Sequence, residues 1–133
     1  MKAESILQML DFYFSSITFH QKKEDLGEKK VTVHHNIDHE QNNEDNSIFR
    51  VTITTKVYDK AKQLDLKIIS IGIFQITDLS IEEELKRSLI TRNTVAIMFP
   101  YIRSEVSLIT AQPGLMPIQI PVIDVNKLVG SKK

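Results

Sequence analysis

The sequence contains no cysteine and no tryptophan among its 133 residues. Without cysteine there is no disulfide framework, no thiolate zinc site and no cysteine nucleophile. An excess of charge of either sign is also missing, since 17 lysines and arginines face 17 aspartates and glutamates. Polyphosphate partners normally call for a clear basic surplus, so nucleic acid is not expected as a partner. A membrane surface is not expected either. Long hydrophobic runs are absent, the longest being Val95 to Phe99. A spanning helix needs about 20 apolar residues. Met1-Lys2-Ala3-Glu4-Ser5 opens no targeting stretch. The expectation is a soluble, cytoplasmic, single domain over 1–133, of a size that buries about two-thirds of its unfolded surface. Four glycines stand singly, so no glycine-rich phosphate loop is present and no cofactor is expected.

What is there begins with strand signals. Phe12, Tyr13, Phe14, Ile17 and Phe19 form an aromatic and β-branched stretch. Residues 21–30 are charged and read as a loop. Val31, Val33 and Ile37 alternate with Thr32, His34, Asn36 and Asp38, a half-buried strand. The polar run from His39 to Ser47 reads as a connection. Phe49, Val51, Ile53 and Val57 alternate with Arg50, Thr52, Thr54 and Lys56, and Asp59 to Gln63 reads as a hairpin loop. In the next strand Leu64, Leu66 and Ile68 give way to Ile69, Ile71 and Ile73. That change of parity suggests a bulge, and Gly72 a close backbone approach. The expectation is a four-stranded antiparallel meander over about 12–76.

Helices follow, over about 81–111 and 124–130. Ser80 with Glu82 to Glu84 reads as a cap, Asn93 or Thr94 as the cap of a second helix, and Pro113-Gly114 as its end. Asp124 reads as the cap of the last short helix. The class is α+β, a four-stranded antiparallel sheet followed by helices packed on one side. In the second helix Val95, Met98, Phe99, Ile102, Val106 and Ile109 form one apolar stripe. Ile97, Tyr101 and Leu108 form another, with Glu105 between them. A helix covering a sheet needs one stripe. Two stripes imply either burial under the C-terminal segment or a subunit interface, and the shortage of cover favours the interface.

Chemistry is sparse. His34, His35 and His39 look like a metal cluster, but along a strand His35 and His39 stand about 13 Å apart and His34 faces the other way. Zinc holds its nitrogens near 2 Å. No metal site is expected, and these histidines read as solvated. There is no nucleophile elbow. The acidic clusters Glu24-Asp25, Glu44-Asp45 and Glu82 to Glu84 sit in polar loops or at a helix start, where a raised pKa has no cause. No catalytic residue is assigned, and an enzyme is not expected. The unusual segment is Leu115 to Ile123, an apolar arm kept extended by Pro117 and Pro121. It either seals the core or walls a groove for peptide, a role in which Met116 would adapt to many partners.

At this point Phe99-Pro100-Tyr101-x-Arg103, Gly114-x-x-Pro117 and Pro121-Val122 resemble the C-terminal half of SecB, the protein-export chaperone family. Gly72-Ile73-Phe74 and Ile17-Thr18-Phe19 are similar to strand motifs of the same family. The likeness spans about 7–129 and is densest over 95–122. It implies an ATP-independent holdase for non-native polypeptides, a homotetramer built as a dimer of dimers, and handover to SecA. On that reading the client-binding residues are Leu115, Met116, Ile118, Ile120 and Val122, aided by Tyr13 or Phe14. Ile97, Tyr101, Glu105 and Leu108 form the subunit interface, and Pro100 and Arg103 are structural. The places where SecB proteins dock SecA fall at Ser16, His20, Asp65 and Lys67, of which one is acidic. Residues 50–67 carry Arg50, Lys56, Lys60, Lys62 and Lys67 against Asp59 and Asp65. SecA docking through the usual surface is therefore not expected. The alternative is a SecB-like chaperone dedicated to one partner such as an antitoxin.

Overall fold

The computed structural model describes residues 6–22, 30–59, 63–113 and 117–121. The last short helix expected over 124–130 lies outside these residues. Four strands, β1 (Leu7–Gln21), β2 (Val31–Gln41), β3 (Ile48–Asp59) and β4 (Leu64–Ile76), form one antiparallel sheet in the order β1-β4-β3-β2. The meander is thus confined to β2, β3 and β4. β1 lies on the far side of β4, so the connection after it joins opposite edges of the sheet. β1 begins at Leu7, earlier than its aromatic stretch suggested. β2 continues through His39, Glu40 and Gln41, which oppose Val51, Arg50 and Phe49. The turn beyond is held by its own side chains. Asn42 Oδ1 accepts from the amides of Glu44 (2.7 Å) and Asp45 (3.0 Å), and Asp45 accepts from the Ser47 amide (2.9 Å).

The bulge expected in β4 is not there. Leu64, Leu66, Ile68, Ser70, Phe74 and Ile76 all face the core in one unbroken alternation with Gly72. The register with β3 is continuous, from Tyr58 opposite Asp65 to Ile48 opposite Gln75. Ser70 and Gly72 occupy inward positions, so the inward row looks polar in sequence although its parity never changes. The irregularities lie instead in β1, between Met9 and Asp11 and between Phe14 and Ser16. They leave Leu10 and Ser15 out of the register with β4 and shift β1's alternation twice. Gly72 is a point of close approach: a Cβ there would come within 2.7 Å of the Phe74 ring and 2.9 Å of the Met98 sulfur.

The helical part is continuous. Helix α1 (Glu83–Ser88) passes through a π turn (Leu89–Asn93) directly into α2 (Thr94–Thr110). Asn93 has helical backbone angles and makes no capping bond, so it starts no new helix. The Ser80 hydroxyl does not cap either; it bonds Asp78, and Glu82 takes the cap position. Widening a helix turn disturbs its carbonyl pairing. Thr91 and Thr94 donate their hydroxyls to the carbonyls of Arg87 (2.8 Å) and Ile90 (2.7 Å) around it. α2 lays Val95, Met98, Phe99, Ile102 and Val106 on the inner sheet face, all 5% exposed or less. Full burial of each such side chain is worth about 1.5–3 kcal/mol. Among the described residues no helix is long and apolar enough to cross a membrane.

Candidate polypeptide-binding surface

The arm 117–121 is tied to α2 by alternating polar bonds. Arg103 Nε donates to the Ile120 carbonyl (2.9 Å), and Ser107 Oγ to the Ile118 carbonyl (3.1 Å). The fully buried Thr110 hydroxyl accepts from the Ile118 amide (2.7 Å) while donating to the Val106 carbonyl (2.7 Å). These bonds turn Ile118 and Ile120 toward the core, and Ile120 is 2% exposed. Ile120 therefore seals the core, and its side chain is not presented to a client. Ile118 is half-buried against the same cluster. Leu115, Met116 and Val122 lie outside the described residues.

Between arm and helix runs an open cleft of about 630 Å³, lined by Pro100, Arg103, Ser104, Leu108 and Pro117 with Gln119 and Ile120 in the arm. Leu108 at its edge is 68% exposed. Arg103 is placed by its carbonyl bond, as the structural reading of that residue expects. Pro100 is exposed on the cleft wall. Having no N–H, it leaves the carbonyl one turn back without its usual helix partner.

The second stripe of α2 is only partly covered by the described residues: Ile97 is 37%, Tyr101 51% and Leu108 68% exposed, with Glu105 half-buried. Tyr101 meets β1, its ring 5.1 Å from that of Phe12, which packs edge-on to Phe14 at 5.3 Å. Nearby, Ile17 occupies an inward register position opposite Ile68 yet is 44% exposed. Phe12, Phe14, Ile17 and Tyr101 thus make an apolar rim on the helix side. Phe12 is legible in sequence as a strand residue but not as part of this rim, since two bulges hide the alternation that would mark its face. Tyr13, paired with Ile71, faces the opposite side of the sheet. It and Phe14 therefore cannot line one groove.

His35 departs from the solvated reading. It faces inward opposite Thr55, its Nδ1 2.9 Å from the Thr55 hydroxyl and its ring 4.7 Å from that of Phe99. Its Nε2 is buried without a hydrogen-bond partner. Burial, and then the neighbouring His34, lower its pKa from 6.5 to about 4. The carboxyls of Asp45 and Asp78 are held low by hydrogen bonds from Ser47 and Ser80. Among the described residues no three histidine, cysteine or acidic side chains gather to hold a metal.

An antiparallel sheet with one helix across it, an apolar arm and a greasy rim make an α+β module built around exposed apolar surface. The family described as preprotein translocase subunit SecB matches residues 2–133, and the chain belongs to it. The protein-export protein SecB of Orientia tsutsugamushi (strain Boryong) is 32% identical over 91 residues, covering 66% of this chain and 55% of its own. The chain thus spans about half the length of the SecB relatives it matches. An uncharacterized protein of Methanocaldococcus jannaschii is 29% identical over 110 residues, 78% of this chain and 70% of its own. Among solved structures, a SecB-like chaperone of Mycobacterium tuberculosis, in complex with a ChAD peptide from the HigA1 antitoxin, superposes with a TM-score of 0.72. It covers 90% of this chain and 89% of its own at 14% identity, a likeness that shows the fold.

Proposed function

We propose that this protein is an ATP-independent holdase, a cytoplasmic homotetramer that keeps non-native polypeptides from folding or aggregating and serves protein export. The observation that carries this reading is the apolar surface that the described residues leave open on the helix side, the arm cleft beside α2 and the Phe14 and Ile17 rim of β1, apart from the stripe of α2 expected at the subunit interface. Apolar burial is non-directional, at about 25 cal/mol per Å², so such a surface holds many sequences without reading any one closely. Several weak patches on linked subunits add by avidity. No covalent chemistry and no cofactor enter. A second reading, a chaperone dedicated to one partner such as an antitoxin, is supported by the antitoxin peptide bound to the M. tuberculosis relative.

Suppression of aggregation of a reduced, unfolded client, measured by turbidity without nucleotide, tests the proposal. The protein should protect at near-stoichiometric amounts. Met116→Asp with Gln119→Glu places acids on the arm and should weaken protection about tenfold, the equivalent of one lost apolar side chain. Equal protection by this variant would remove the arm from the client site. No protection by the parent would remove the holdase reading. Protection of one cognate client alone would favour the dedicated chaperone.

A further inference from the structure

The cleft between the arm and α2 holds one charged group. Pro100, Leu108, Pro117 and Ile120 give it apolar walls, and Arg103 is the only ionisable side chain that lines it. Arg103 is half-buried. Its Nε donates to the Ile120 carbonyl at 2.9 Å, which anchors the guanidinium in the cleft wall. Among the described residues Arg103 makes no other hydrogen bond and no ion pair. Glu105, two positions along, lies about 200° round α2 and belongs to the second stripe. A guanidinium carries five N–H donors and is always charged in proteins. With Nε taken, the N–H bonds of the two terminal nitrogens remain. A partly desolvated cation with free donors gains more from an anion than one in open water does. Ser104, exposed on the same wall, adds a hydroxyl with no hydrogen bond to a described residue.

We propose that this cleft takes an acidic side chain of a bound polypeptide, a glutamate or aspartate flanked by apolar residues, and that Arg103 selects it. The carboxylate would meet the two terminal nitrogens of Arg103 end-on, the bidentate geometry that a planar guanidinium offers and an ammonium does not. The apolar neighbours of the acid would lie on Leu108 and the two prolines. The occupant is a segment within a chain rather than a chain end, because the cleft is open along the surface and does not close round its contents. A lysine in the same place would face the guanidinium and be rejected, so the site discriminates by repulsion as well as by attraction. The inference rests on the client surface proposed above and adds a preference to it. Of segments equal in hydrophobicity, those that carry an acid are held more tightly.

Fluorescence anisotropy tests it with three labelled peptides, capped at both ends, in which one glutamate, glutamine or lysine stands between the same leucines. The glutamate peptide should bind about fivefold more tightly than the glutamine peptide, the upper range for a partly exposed ion pair. The lysine peptide should bind most weakly. Salt should narrow the gap between glutamate and glutamine. Arg103→Gln should abolish that gap. Loosening of the arm in this variant would lower all three affinities alike, so the ratio reports the charge and not the arm. Gln119→Glu leaves Arg103 and its arm bond in place, sets a carboxylate in the same cleft, and should also narrow the gap. Equal binding of the glutamate and glutamine peptides to the parent, or a glutamate preference that survives in Arg103→Gln, would overturn the proposal. So would a glutamine peptide with a free C-terminal carboxylate that binds more tightly than the capped glutamate peptide, which would assign the cleft to a chain end. A parent that suppresses aggregation yet binds the two capped peptides equally would lose this inference and keep the holdase reading. One that prefers glutamate yet suppresses nothing would do the reverse.

Discussion

At the residue scale, His35 links the core to pH. Its partly buried ring is held neutral, with the pKa lowered from 6.5 to about 4. Well above pH 6.5 both folded and unfolded chains carry it neutral, and it contributes nothing to the pH dependence there. As pH falls from 6.5 toward 4 the unfolded chain takes up the proton first, and the fold loses stability. The full loss, discounted for the ring's partial access to water, is about 2 kcal/mol. Urea unfolding at pH 7 and at pH 4.5 should show the midpoint falling, beyond the change due to the carboxylates. His35→Gln should remove His35's part of the difference, while His34→Gln should remove little. An identical pH dependence in His35→Gln would show that the ring is not held neutral. Sequence did not reveal this role. His35 belongs to the inward row with Val31, Val33 and Ile37, and a polar residue in an apolar row was read as solvated. What buries it is Phe99, distant in sequence.

At the element scale, the strands were legible wherever one residue per step faced one side. β2 and β3 show that alternation plainly, and Val95, Met98, Phe99, Ile102 and Val106 of α2 are the stripe its periodicity marks. The reading failed where a device local to the chain broke the period. In β4, Ser70 and Gly72 imitated a change of parity. In β1, two real bulges went unseen. The π turn joined what Asn93 seemed to divide, because a residue that favours caps also tolerates the helical conformation when tertiary packing demands it. The arm's tie to α2 gives a prediction at this scale. Thr110→Val keeps the volume but leaves the Ile118 amide without its acceptor, at a cost of about 1–2 kcal/mol. Urea unfolding should show a lower midpoint at constant slope, and limited proteolysis should cut sooner near the arm. Thr110→Ser should restore most of both. No change in Thr110→Val would mean that the apolar contacts of Ile118 and Ile120 hold the arm alone.

At the scale of the whole molecule, the zero net charge hides an arrangement. Sequence showed a basic surplus over 50–67, and the sheet register converts part of it into one row on one face. Arg50 is removed from that count by its 2.6 Å ion pair with Glu40. Lys56 and Lys67 remain side by side. The two stripes of α2 were legible from their spacing. One is buried under the sheet, and the other, Ile97, Tyr101 and Leu108, is left partly exposed by the described residues. Three large apolar side chains on one helix face, beside the Phe12 and Phe14 rings, are the surface a second copy would cover in a symmetric contact. Light scattering should give a mass that is a multiple of the 15.3 kDa chain, with four copies expected. Ile97→Asp with Tyr101→Asp should lower that mass, because two carboxylates buried at a symmetric interface would meet two more from the partner. Both positions are exposed in the single chain, so the far-ultraviolet circular dichroism spectrum should stay the same. A parent protein at 15.3 kDa at all concentrations, or a variant that keeps the parent's mass, would show that the stripe is not an interface. It would then be free, like the arm cleft, to hold clients.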